Sequence, residues 1–160
     1  MKYKALCFSG GAIRGFLHLG ALHELKIQDK LDVKEVSGNS IGSLFASIVA
    51  MGIDINEIMT LVFDLDINVS DKLDFINFFN TKGLYSSQQM RNICEQIVSL
   101  KYNYNITFKE LYKDTGIKLN IVATNIDTYT ETIFNHIKFP EISILDAIIA
   151  SMSIPLIFPP

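Results

Sequence analysis

The sequence predicts an α/β fold in which a central, largely parallel sheet is flanked by helices. Three observations carry that prediction. The chain opens as strand, glycine turn, helix, and then runs through the same order again; parallel strands need helical crossovers, and this alternation is their signature. The strands are short apolar runs closed by glycine, as in buried strands. Apolar residues make up 49% of the 160 residues, enough for a sizeable core.

Lys4 to Phe8 is the first strand, ended by Ser9-Gly10-Gly11. Leu17, Ala21 and Leu25 then recur every four residues, which predicts a helix from about Arg14 to Ile27. Val33 to Val36 is a second strand, closed by Ser37-Gly38. A second helix starts near Ser40, with Leu44, Ile48 and Met51 on one face. Asn56 to Phe63 reads as helical with Asp54 as its N-cap, whereas Asp64 to Asn80 has no clean period. From Ser87 the period returns: Met90, Ile93, Cys94, Ile97 and Val98 form one buried stripe, with Cys94 as a core thiol. Thr107 and Glu110 have capping-box spacing and open a short helix that stops at Gly116. Lys118 to Asn125 and Tyr129 to Phe134 flank Asp127-Thr128 as a hairpin, and Ser143 to Met152 is a last helix.

Composition excludes several functions. Fourteen basic against 17 acidic residues give a net charge of −3, with no electrostatic footprint for nucleic acid. Cys7 and Cys94 stand far apart without CxxC spacing, and the three histidines lack a clustered ligand set, so neither a disulfide framework nor a metal site is expected. A membrane span needs roughly 20 apolar residues. The run from Ile41 to Ile53 is shorter than that, and the one from Ile144 to Phe158 is interrupted by polar residues and a proline. A cytoplasmic protein or one in peripheral contact with a membrane fits this pattern.

Gly38-Asn39-Ser40-Ile41-Gly42 is a G-x-S-x-G pentapeptide between a strand and a helix. A serine on so sharp a turn is held exposed at a helix N-terminus, whose dipole favours a developing anion, while glycines on either side let neighbouring backbone approach. Ser9-Gly10-Gly11-Ala12-Ile13-Arg14-Gly15 also lies between a strand and a helix. Its small residues let successive N–H groups converge on a negative oxygen, as an oxyanion hole or a phosphate cradle. It is not a Walker A loop, because no GK[ST] follows, and Ala12 breaks G-x-G-x-x-G, so no nucleotide cofactor is expected. Arg14, one of two arginines in the chain, sits beside this candidate anion site. Taken together, Ser40 would attack an acyl carbonyl while the amides of Gly10, Gly11 and Ala12 hold the oxyanion.

These motifs resemble the patatin-like phospholipase family. Cys7 to Leu22 is similar to its G-G-G-x-[RK]-G segment and Gly38 to Gly42 to its G-x-S-x-G elbow. Lys118 to Phe134 resembles an internal strand pair, and Ala150 to Pro160 resembles A-S-x-x-[IV]-P-x-x-F-P-P. The resemblance spans nearly the whole chain. It implies a patatin-like fold, a Ser–Asp dyad with Ser40 as nucleophile, hydrolysis of lipid acyl esters, and no cofactor.

Two departures stand out. Ala12 replaces the third glycine of the loop; it keeps the N–H, so an oxyanion role is expected if φ is negative there, and a positive φ counts against it. The dyad aspartate belongs to a D-G-[GA] segment beyond the Pro-Pro motif, and the chain has no Asp-Gly dipeptide. Residues 1–160 are therefore expected to be a single domain cut short of its base. Three alternatives follow: an α/β-hydrolase-like triad of Ser40, Asp127 and His136, a catalytically inactive lipid-binding or interaction module, and phosphate or nucleotide binding at the glycine loop.

Overall fold

In the computed structural model of the chain, residues 1–64, 87–102 and 105–153 are described. Four strands form one sheet in the order β1 (Tyr3–Phe8), β2 (Leu31–Asn39), β3 (Lys118–Asn125), β4 (Thr130–Phe134). The first three are parallel and β4 is antiparallel to β3. Among the described residues six helices accompany them: α1 (Phe16–Ile27), α2 (Ile41–Met51), α3 (Ile55–Asp64), α4 (Ser87–Ser99), α5 (Phe108–Thr115) and α6 (Ile144–Met152). The sequence expectation of an α/β fold with a largely parallel sheet is met.

The strand that carries the second glycine turn runs longer than its apolar content suggests. Apolar residues mark only Val33 to Val36, yet β2 continues through Ser37, Gly38 and Asn39. The reason is its central place. Ser37 and Gly38 pair with Cys7 and Phe8 on one side, and all three pair with Asn120, Ile121 and Val122 on the other. Two flanking ladders satisfy the backbone, so polar residues stay extended.

Helix α2 is the centre of the core. Every residue from Ile41 to Met51 is buried except Val49, which is partly so. Gly52, in the left-handed conformation at φ +67, ends the helix. It packs against β1, β2, β3 and α6, while α6 packs on β3 and α4. The expected stripe of Met90, Ile93, Cys94, Ile97 and Val98 is buried in α4. Burial pushes the Cys94 thiol up to about 12, leaving an inert core side chain. Arg91 of α4 pairs with Asp146 of α6 at 2.6 Å. A hydrogen bond with Ser143, together with Arg91, holds the Asp146 carboxyl below its ordinary range despite partial burial.

The caps behave as their side chains dictate. Asp54 Oδ1 accepts the N–H of Asn56 at 2.8 Å at the start of α3. Ser143 Oγ accepts the N–H of Asp146 at the start of α6. Thr107 and Glu110 form the reciprocal capping box of α5, and Gly116 closes that helix at φ +68. Asp64 to Asn80 lies almost wholly, and Ile154 to Pro160 wholly, outside the described residues.

Removing the α5 box isolates one local interaction. Thr107→Ala is expected to lower unfolding free energy by about 1 kcal/mol, read as a lower urea midpoint at unchanged slope. An unchanged midpoint would show that the box contributes nothing to stability.

Candidate active site

The two glycine motifs meet at the carboxyl ends of β1 and β2. Ser40, the first residue past β2, takes φ +51 and ψ −132, a left-handed conformation that a side chain rarely adopts. Such a residue costs of order 1–3 kcal/mol and persists only where its surroundings over-determine it. Here they do. A methyl on Gly38 would fall on the carbonyl of Gly42, and one on Gly42 would fall on the carbonyl of Phe8 at the end of β1. The glycines of G-x-S-x-G are thus required by close approach of backbone on both sides of the serine. On the far side, Gly15 admits Ile41, whose Cγ1 would lie 2.5 Å from an added methyl.

Polar contacts fix the same turn. The Ser40 carbonyl accepts both the N–H of Ser43 at 2.8 Å and its buried hydroxyl at 2.6 Å. The Ser40 N–H donates to Ser151 Oγ at 2.8 Å. The Ser40 side chain is half-buried at the N-terminus of α2, and its own hydroxyl has no hydrogen-bond partner among the described residues.

The glycine loop lies directly against the serine. An added methyl on Gly10 would sit 3.2 Å from Ser40 Cβ and 3.1 Å from Asn39 Nδ2. The N–H of Gly10 donates to Asn39 Oδ1 at 3.0 Å. Of the three amides expected to face an oxyanion, Gly10's is therefore taken by the elbow's own asparagine. The amides of Gly11 and Ala12 have no partner among the described residues. Ala12 has φ +48, so the third loop position keeps a glycine-like backbone under an alanine. Its N–H survives the replacement at the expense of strain.

Arg14 lies in the single 3-10 turn Ala12–Gly15 that follows, anchored by its N–H to the Gly11 carbonyl at 3.0 Å. Its side chain is exposed and makes no ion pair among the described residues. His18 of α1 reaches back to the end of β1. Its Nε2–H donates to the carbonyl of Ser9 at 2.9 Å, and its ring stands edge-on to Phe8 and Phe45. It ties α1 to the loop. No sequence signal distinguished it from an ordinary helix histidine.

The alternative of Ser40, Asp127 and His136 is not assembled. Asp127 is in the turn at the tip of the β3–β4 hairpin, where Asn125 Oδ1 accepts its N–H. His136 follows the opposite end of β4 and stacks on Tyr112 of α5 at 3.9 Å. The whole of β4 separates them. Asp146 is held by Arg91 and Ser143. Among the described residues no three His, Cys, Asp or Glu side chains gather as a metal-ligand set, and no helix is long and apolar enough to cross a membrane.

Comparison with known proteins places this geometry. A family model described as patatin-like phospholipase matches residues 6–160. The "Probable lipid hydrolase 463L" of Invertebrate iridescent virus 6 is 35% identical, covering 99% of this chain and 56% of its own. "Uncharacterized protein R571" of Acanthamoeba polyphaga mimivirus is 31% identical over 99% of this chain and 54% of its own. "Triacylglycerol lipase 5" of Saccharomyces cerevisiae is 30% identical, with 22% of its length covered. The chain thus spans about half the length of the two viral relatives. VipD from Legionella pneumophila shares the fold at a TM-score of 0.68 and 20% identity, covering all of this chain and 44% of its own. ExoU of Pseudomonas aeruginosa, in complex with SpcU, does so at 0.65 and 20% over 95% of this chain and 38% of its own.

The strain at residue 12 can be measured. Relief of a left-handed alanine is worth about 1–2 kcal/mol, against roughly 0.4–1 kcal/mol of unfolded-chain entropy that glycine adds. Ala12→Gly is therefore expected to raise the denaturation midpoint slightly. A clear loss of stability would contradict the strained backbone at this position.

Proposed function

The chain belongs to the patatin-like phospholipase family, and from that premise we propose that it carries the nucleophile and oxyanion machinery of a lipid acyl-ester hydrolase. The observation that carries the reading is the placement of Ser40 on a strained turn with its Cβ against the glycine loop. In this reading the Ser40 Oγ attacks the ester carbonyl carbon. The carbonyl oxygen, now negative, accepts from the amides of Gly11 and Ala12. The Ser40 hydroxyl proton passes to the activating carboxylate, which returns it to the departing alkoxide as the tetrahedral intermediate collapses; an alcohol leaves, and the acyl-serine is then hydrolysed by water to the free acid and serine. One oxyanion donor is worth about 3 kcal/mol, so two fixed amides account for a large part of the barrier reduction.

Asn39 and His18 support the loop without taking part in the chemistry. Asn39 holds Gly10 and His18 holds Ser9, so the strand-to-loop exit is pinned on two sides. Arg14, exposed on the next turn, suits a phosphate or another anionic part of a lipid near the reacting ester. In this reading the activating carboxylate is the aspartate of a D-G-[GA] segment, and residues 1–160 contain no Asp-Gly dipeptide; among the described residues Asp127 and Asp146 are engaged elsewhere.

A lipid substrate also accords with the surface at this edge of the sheet. Leu17 follows the glycine loop at 75% exposure, and Ile126 and Tyr129 stand at 61% and 88% on the hairpin that extends β3 past the level of Ser40. Exposed aliphatic and aromatic side chains toward the carboxyl ends of the strands suit peripheral contact with a lipid surface.

Ser40→Ala in the full-length protein is expected to cut hydrolysis of phosphatidylcholine vesicles by at least about a thousandfold while leaving the circular dichroism spectrum and melting temperature close to those of the parent. Undiminished hydrolysis in the folded variant would overturn the assignment.

A further inference from the structure

Ser151 occupies the last turn of α6, 111 residues from Ser40 in sequence, and its hydroxyl bridges two backbone groups. It accepts the N–H of Ser40 at 2.8 Å and donates to the carbonyl of Val122 at 2.6 Å. Val122 pairs with Asn39, the last residue of β2. At this point the parallel ladder breaks off, because Ser40 swings away into its strained turn. The Ser151 hydroxyl stands between the freed amide of β2's continuation and the freed carbonyl of β3, and satisfies both.

We infer that Ser151 is a positioning residue for the nucleophile: it sets the orientation of the Ser40 backbone by replacing a lost sheet hydrogen bond with a hydroxyl bridge. Three features of the geometry support this. The bridge acts on the amide of the strained residue itself, where φ is set. Its far end is anchored in β3, inside the sheet, so that it has a rigid reference. It also opposes the grip of Ser43, which holds the Ser40 carbonyl from α2. Ser40 is thereby held at its N–H and its C=O by two different helices, and its side chain has only χ1 left to vary. With its amide committed to Ser151, Ser40 does not supply an oxyanion donor, unlike serine enzymes in which the nucleophile's own N–H does so. The oxyanion then depends on the glycine loop alone, and small rotations at Ser40 change the angle of attack toward that loop.

The inference rests on Ser40 being the nucleophile, and its test separates the two claims. In the full-length protein, Ser151→Ala is expected to lower kcat and the rate of fluorophosphonate labelling of Ser40 by about 10- to 100-fold, the scale of a small misplacement at the reacting centre, with little change in KM. Amide exchange at Ser40 should be slow in the parent and faster in Ser151→Ala. Ser151→Thr, which keeps the hydroxyl, should recover part of the rate. Ile97→Val serves as a control for stability: it thins a buried contact in α4 and should leave the labelling rate unchanged. A parental labelling rate in Ser151→Ala would overturn the positioning role, as would an equal slowing in Ile97→Val. Labelling of the parent at a residue other than Ser40 would overturn the nucleophile assignment, while slow amide exchange at Ser40 would still report the bridge.

Discussion

The first turn of α2 passes so close to the end of β1 that Gly42 has no room for a methyl group beside the carbonyl of Phe8. The other features of the site depend on this contact. It brings the N-terminus of a buried helix against the exit of the first strand, from which the glycine loop departs. It also forces the chain between β2 and α2 to turn within one residue, and that residue is Ser40. Gly38 meets the same constraint from the other side, because its α-carbon faces the carbonyl of Gly42. Side chains at either position would push the helix from the strand and separate the serine from the loop.

A strained residue in a fold of marginal stability needs compensation nearby, and here it is local and polar. Of order 1–3 kcal/mol at Ser40 is offset by hydrogen bonds at its amide and its carbonyl, each worth about 1 kcal/mol net and more when the alternative is an unpaired buried group. Asn39 and His18 extend the arrangement by one shell, fixing Gly10 and Ser9. The loop is left with two uncommitted amides at Gly11 and Ala12. Electrostatic stabilisation requires donors fixed before the charge appears, and in the proposed function the pinning of both preceding residues would supply that.

Much of this was legible in the sequence, for a physical reason. Glycines demanded by close backbone approach must appear as glycines, so the pentapeptide around Ser40 and the loop at Gly10 and Gly11 stood out. Periodicity located the start of α4 and its buried stripe, and the side-chain chemistry of Asp54, Thr107 and Glu110 marked the caps of α3 and α5. The extension of β2 through Asn39 was not legible, because flanking ladders rather than side chains hold those residues extended. Nor were the contacts of Asn39, His18 and Ser151 with the site. A serine in an apolar helix and a histidine on a helix face are ordinary locally, and only the folded chain brings Ser151 to Ser40. Spacing likewise identifies Gly10 as an amide of the loop but not that Asn39 Oδ1 accepts its N–H.

In the proposed function Ser40 and the amides of Gly11 and Ala12 form one site, with Gly10 and the amide of Ser40 held out of it. A crystal structure of the protein phosphonylated by a fluorophosphonate tests this directly, since the phosphonyl oxygen stands where the oxyanion would. The expected adduct has a covalent bond to Ser40 Oγ, with the phosphonyl oxygen accepting from Gly11 and Ala12 at about 2.7–3.1 Å and Gly10 still donating to Asn39. An oxygen held instead by the Gly10 or Ser40 amide, or an adduct on a different residue, would contradict it.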